Sequence, residues 1–155
     1  MTATALLDTD HINTDKPPFI LVDGSYYMFR NFHALPVTMQ TTQGLHTNSI
    51  RGTLNALKTL MEKYRPTHMA VAFDTKAPTF RHKLSPIYKG DRPEMPAELA
   101  EQIPCIHKMI QAMGIPLLAI EGVEADDIIG TLAHRACLEG HHVIISTGDK
   151  DMCQL

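Results

Sequence analysis

Carboxylates stand at four places where this chain could draw them together. Asp23 follows the apolar run Phe19-Ile20-Leu21-Val22, and Asp74 follows His68-Met69-Ala70-Val71-Ala72-Phe73. Glu124, Asp126 and Asp127 sit in the run Glu121-Gly122-Val123-Glu124-Ala125-Asp126-Asp127, and Asp149 and Asp151 follow Val143-Ile144-Ile145-Ser146-Thr147. Singly, an acid after a short apolar run is an ordinary helix N-cap or turn residue. The pair Asp126-Asp127 alone could do no more than complement a helix dipole. Gathered at one place, they would repel one another unless something cationic held them. Carboxylate oxygens select hard ions, Mg²⁺ or Mn²⁺, and the absence of Cys and His from these positions argues against zinc.

A basic stretch begins directly after Asp74. Lys76, Arg81, Lys83, Lys89 and Arg92 face only Asp91 in sequence, with Phe80 and Tyr88 interleaved. Such a stretch suits phosphate contact and base stacking, although a solvated excursion that serves solubility has the same composition. Arg30 falls on the segment after Asp23 and adds a further candidate cation. Divalent metals polarise phosphoryl oxygens and generate hydroxide near neutral pH. Acids for metal and cations for phosphate therefore point to phosphoester chemistry, on a molecule left open by the residues alone.

The elements that must position these groups alternate. The apolar runs at 19–22, 68–73, 116–120 and 143–147 read as buried parallel strands. Between them lie helical faces: Ile50, Leu54, Leu57, Met61 and Tyr64; then Leu99, Ile103, Ile106, Ile110 and Met113, ended by Gly114. A third face holds Ile128, Ile129, Leu132, Ala133 and Ala136, ended by Gly140. The alternation predicts an α/β fold, an open parallel sheet covered by helices on both faces. In such a sheet all strands finish at one edge, where ligands bind. That edge collects Asp23, Asp74 and Asp149, and Glu124 and Asp127, three apart, share a helix face. The connection from 75 to 96 is long for its kind. Strand order is not legible.

Composition narrows the class. The 155 residues are 44% hydrophobic and 20% charged, with a formal net charge of −3. That suits one globular domain and excludes a disordered chain or a uniformly basic nucleic-acid glove. No apolar run approaches the roughly 18 residues of a membrane span. Residues 1–18 lack a basic start and a long apolar centre, so they read as a flexible tail rather than a signal peptide. Cys105, Cys137 and Cys153 cannot all pair and form no C-x-x-C, which suits reduced thiols in the cytoplasm. No membrane contact and no obligate protein partner are expected.

Six runs carry a resemblance: Leu21-Val22-Asp23-Gly24-Ser25, Ala72-Phe73-Asp74, Phe80-Arg81, Tyr88-Lys89-Gly90-Asp91-Arg92-Pro93, Gly122-Val123-Glu124-Ala125-Asp126-Asp127 and Thr147-Gly148-Asp149-Lys150-Asp151. In order and over residues 19–155 they resemble the 5′-nuclease domain of bacterial DNA polymerases I, in the flap endonuclease group with its PIN-like, resolvase-like core. The resemblance implies a metal-dependent, structure-selective 5′→3′ exonuclease or 5′-flap endonuclease that hydrolyses DNA phosphodiesters during primer and flap removal. It implies metal-site roles for Asp23, Asp74, Glu124, Asp126, Asp127, Asp149 and Asp151, for Mg²⁺ or Mn²⁺, two ions in the complete domain. Asp23, Asp74 and Asp126 with Lys89 are the implied catalytic groups. Tyr88, Lys89 and Arg92 match an arch, within 75–96, through which the 5′ strand passes. Arg30 and Arg81 join them as implied nucleic-acid contacts, and the implied partner is DNA bearing a 5′ flap, nick or primer.

One departure bears on activity. The family continues with a second acidic motif, Asp-x-x-Asp-Asn, and a helix-hairpin that grips duplex DNA; neither stands in these 155 residues. The expectation is the N-terminal part of a nuclease domain. The alternative is a non-catalytic nucleic-acid-binding fragment with an incomplete metal site. A receiver or phosphatase domain is disfavoured, because the first strand ends Asp-Gly-Ser with no acid pair.

Overall fold

A computed structural model of the chain describes residues 16–85, 87, 94–148 and 152. The elements run β1 (Phe19–Asp23), α1 (Gly24–Ala34), α2 (Asn48–Tyr64), β2 (His68–Ala72), α3 (Phe80–Leu84), α4 (Ala97–Ala100), α5 (Ile103–Ala112), β3 (Leu117–Leu118), α6 (Ala125–Leu138) and β4 (Val143–Ser146). The four strands are all parallel, in the order β3-β2-β1-β4. Val22 in β1 lies opposite Val71 on one side and Ser146 on the other. Among the described residues no helix is long and apolar enough to cross a membrane.

Side chains alternate across the strands, and each set has its own core. Ile20, Val22, Met69 and Val71 pack with Met28, Leu57, Ile106 and Ile110, so α1, α2 and α5 cover one face. Leu21, Ala70 and Ala72 pack with Ile128, Ile129, Ala133 and Met152, so α6 covers the other. Burial on both faces is why the strands read as unbroken apolar runs.

Three expectations needed correction. The strand expected over 116–120 is only Leu117–Leu118, at the sheet's edge, and Ile120 is half exposed. The chain turns away there, with the Val123 amide bonded to the Ile120 carbonyl and Gly122 at φ +79°. The helix expected from Leu99 to Met113 is broken into α4 and α5. Pro104 has no N–H to offer the carbonyl of Ala100, so a turn stands where the helical bond would be. Leu99, Ile106 and Ile110 are nonetheless fully buried. In α2, Met61 is exposed, and the buried face runs through Asn48, Ser49, Gly52, Thr53 and Leu57. Small and polar residues form it because α2 lies close against α1: a Cβ on Gly52 would stand 2.6 Å from the Asn31 side chain.

Gly114 and Gly140, the expected helix stops, have φ of +77° and +83°. After α6 the His141 amide bonds the Ala136 carbonyl at 2.9 Å, and the Gly140 amide bonds that of Cys137 at 3.0 Å. The tail expected over 1–18 lies outside the described residues up to position 15.

Candidate functional site

The expected acidic edge forms where β1 and β2 end and α6 begins, and hydrogen bonds tie its segments together. Asp23 closes β1 and is buried. One of its oxygens, Oδ1, accepts the Tyr26 amide at 3.1 Å and caps α1; the other accepts the Thr147 hydroxyl at 3.0 Å, which joins the end of β4 to that of β1. The capping role and a place at the edge therefore coexist in one residue. Gly24 must follow it without a side chain, because a Cβ there would meet the Phe73 ring at 2.6 Å.

Asp74 lies two residues past β2 and is exposed. Its Oδ1 accepts the Ala125 amide at 2.8 Å, so it satisfies a free donor in the first turn of α6 from another segment. Its own amide donates to the Ser25 hydroxyl at 2.9 Å. Three strand ends and two helix starts are thus bonded to one another through Asp23, Asp74, Ser25 and Thr147.

Glu124 holds the backbone N-cap position of α6, yet its side chain makes no capping bond. It is buried and turned to Arg81, whose Nη1 donates to Oε2 at 3.0 Å. Asp127, three residues on, takes the same guanidinium in a fork: Nη1 to Oδ2 at 2.6 Å and Nη2 to Oδ1 at 2.9 Å. The shared helix face expected for Glu124 and Asp127 is therefore real. Arg81 comes from α3 and also lies over the Phe80 ring, 4.5 Å from its centroid. Asp126 is half-buried in the first turn of α6, where acids favour the helix dipole.

The donor set fits a hard divalent cation in its chemistry, since the groups at the edge are carboxylates, without Cys or His. Among the described residues, however, no three His, Cys, Asp or Glu side chains are gathered in a way that would hold a metal. Glu124 and Asp127 are turned to the guanidinium instead. Arg81, expected to contact nucleic acid, here pairs with the acids. Arg30 is exposed on α1. Tyr88, Lys89, Arg92, Asp149 and Asp151 lie outside the described residues.

Reading the sequence missed several supports. Ser25 sits in Asp-Gly-Ser, and Thr147 directly follows β4; hydroxyls beside strand-end acids are a usable signal. The Tyr26 ring lies against Gly148, where a Cβ would come within 2.0 Å of it, and nothing in the spacing announces that contact. The Tyr27 hydroxyl hydrogen-bonds the Ser146 hydroxyl, a second link between α1 and the end of β4.

Residues 18–155 match the family described as the 5'-3' exonuclease, N-terminal resolvase-like domain. The chain is 50% identical over 140 residues to DNA polymerase I of Pseudomonas aeruginosa, covering 90% of this chain and 15% of that protein. It is 41% identical over 137 residues to a 5'-3' exonuclease of Buchnera aphidicola, covering 88% and 45%. Among solved structures, the T5 D15 protein co-crystallised with metal ions superposes with a TM-score of 0.61 at 25% identity, covering 87% of this chain and 50% of that one. The chain thus spans a small part of the polymerases it matches and about half of the solved structure.

Proposed function

The chain belongs to the family of 5'-3' exonuclease N-terminal resolvase-like domains, and from that premise we propose that it forms the acid-bearing part of a metal-dependent nuclease. That nuclease hydrolyses DNA phosphodiesters from the 5′ end, as a 5′→3′ exonuclease and 5′-flap endonuclease within a DNA polymerase I. The observation that carries the reading is the bonded acidic edge, where Asp23, Asp74 and the start of α6 are tied together by hydrogen bonds across the sheet.

In this reading Asp23, Asp74, Glu124, Asp126 and Asp149 would hold one Mg²⁺ or Mn²⁺, and Asp127 and Asp151 would serve a second. Bound there, such ions would stabilise charge on the scissile phosphate and lower the pKa of water, so that hydroxide, the nucleophile, forms near neutral pH. The chain's own residues do the remaining work. Asp23 and Asp74 are held in place by the Tyr26 and Ala125 amides. Lys89 is a compact counter-charge for the phosphate. Tyr88, Arg92 and Arg30 contact the 5′ strand, the first by stacking and the others by charge.

The test is cleavage of a 5′-flapped duplex with Mg²⁺, by the 155-residue chain and by the full product of its gene. Flap release by the full product, lost with EDTA, supports the reading. DNA binding with no metal-dependent cleavage by either would overturn it and favour the non-catalytic alternative.

A further inference from the structure

Arg81 is a cation already seated at the acidic edge. It spans Glu124 and Asp127 with three charge-assisted bonds of 3.0, 2.6 and 2.9 Å. Only about a third of its side chain is exposed, and that of Glu124 is 8% exposed. Both acids belong to the set that the proposed function gives to metal. A carboxylate forked to a guanidinium directs a lone pair of each oxygen at an N–H group. It cannot also turn that same edge, with both oxygens, to a metal ion.

The arginine is carried by a weak element. Helix α3 has five residues. Around it the Lys83 amide bonds the Thr79 carbonyl at 3.2 Å, and the Ser85 amide bonds that of Arg81 at 2.9 Å. Leu84 is 82% exposed, so little apolar burial holds the helix down. Among the described contacts, Arg81 ties it to the start of α6 through Asp127 and Glu124. The helix lies within the basic segment 75–96.

We propose that Arg81 is a stand-in cation: without metal it neutralises Glu124 and Asp127 and pins α3 to the start of α6, and a divalent ion entering the edge displaces it. The inference rests on the metal reading of the proposed function. Displacement couples two events. The ion weakens the hold on α3, and by linkage the hold on α3 weakens binding of the ion to the same degree. The released guanidinium is planar, weakly hydrated and suited to a phosphate oxygen pair. Arg81 can then serve nucleic acid in the loaded state while it serves the acids in the empty one.

Calorimetric titration with Mn²⁺ tests this on the wild type, Arg81→Gln, Arg81→Lys and Arg135→Gln. Arg135 lies in the last turn of α6, at the far end from the acids, and controls for loss of one charge. Removing a competing unit charge from the site should tighten Mn²⁺ at least about threefold in Arg81→Gln, with a smaller gain in Arg81→Lys and none in Arg135→Gln. Hydrogen exchange gives a second readout. The Lys83 and Ser85 amides should exchange faster when Mn²⁺ is added to the wild type, and should be fast and insensitive to Mn²⁺ in Arg81→Gln. Should Arg81→Gln fail to fold, Arg81→Lys carries both measurements. Mn²⁺ binding that is unchanged or weaker in Arg81→Gln overturns the proposal and makes Arg81 a support for the metal-binding geometry. Absence of Mn²⁺ binding in every variant, the wild type included, overturns the metal reading itself and this inference with it.

Discussion

The Asp74 carboxylate accepts the Ala125 amide at 2.8 Å, which joins the residues after β2 to the first turn of α6 across 51 positions. One side chain therefore has a structural duty and a proposed chemical one, and two substitutions separate them. Asp74→Asn keeps a carbonyl oxygen for the Ala125 amide and loses the charge. Asp74→Ala loses both. Asp74→Ala should cost about 1–2 kcal/mol by urea unfolding and Asp74→Asn distinctly less. Both should abolish Mg²⁺-dependent flap cleavage by the full gene product and leave DNA binding largely intact, because each removes negative charge rather than a phosphate contact. Wild-type cleavage by Asp74→Asn would remove Asp74 from the metal set.

The basic segment makes a different prediction. Affinity for a 5′-flapped DNA should fall with rising salt, and Lys89→Ala and Arg92→Ala should each flatten the log–log slope by about one contact. Without metal, Arg81→Ala should flatten it less, since that guanidinium is engaged by Asp127 and Glu124. Unchanged slopes for Lys89→Ala and Arg92→Ala would assign the segment to solubility.

How much of this was legible in the sequence depended on whether a pattern is local. The strands at 19–23 and 68–72 declared themselves because burial on both faces leaves unbroken apolar runs ending in acid. Glu124 and Asp127 declared a shared face because three residues is nearly one helical turn. The order β3-β2-β1-β4 did not, since nothing local says which strands become neighbours. The Arg81 fork was also hidden. It joins positions 46 residues apart, and a basic residue in a basic stretch gives no sign that it turns back to acids. The face of α2 was misplaced at Met61 because contact with α1 selects small and polar residues, which hydrophobic spacing does not register.

Gln102 is another long-range contact with no local sign, and it is fully buried. Its Oε1 accepts the Ser49 and Ile50 amides at 2.9 and 3.1 Å, and its Nε2 donates to Asn48 Oδ1 and the Glu98 carbonyl, both at 2.8 Å. Thr47 at the N-cap of α2 makes no side-chain capping bond, so Gln102 caps that helix from the turn before α5. Gln102→Leu has nearly the same shape but leaves two helix amides and the Asn48 oxygen without it. A loss of about 2–4 kcal/mol in urea unfolding is expected; a loss under 1 kcal/mol would mean the helix start finds other partners.

His107 sets a pH dependence. Its ring meets Phe73 edge-on at 4.7 Å between centroids, and its Nε2 is buried without a hydrogen-bond partner. Burial pushes its pKa below the ordinary 6.5, because the charged ring would lose its water there. Above 6.5 the folded and unfolded chains both carry neutral His107, and its contribution is complete. As pH falls below 6.5 the unfolded chain takes up the proton first, so stability declines until the lower folded value is passed. Unfolding in urea at pH 7.5, 6.5 and 5.5 should show that decline in the wild type and a smaller one in His107→Leu. Equal slopes in the two proteins would remove His107 as the cause.

Tyr26 and Gly148 place an aromatic ring against the backbone just before Asp149. A Cβ at position 148 would fall 2.0 Å from the ring carbons and 2.5 Å from the hydroxyl oxygen. Gly148→Ala therefore forces either the ring or the chain leading into Asp149 to move. Tyr26 is half-buried, and its amide is the one that Asp23 accepts, so a displaced ring also disturbs the cap of α1. Overpacking of this kind costs about 1–3 kcal/mol, and Mn²⁺ affinity should fall with it because Asp23 and Asp149 are both proposed as ligands of the same ion. Tyr26→Ala removes the obstacle. In the double variant Gly148→Ala, Tyr26→Ala, stability and Mn²⁺ binding should recover toward those of Tyr26→Ala alone, giving a coupling energy in the cycle. Additive losses would show that the ring and the glycine act independently, and that the Tyr26 ring does not set the path of the chain into Asp149.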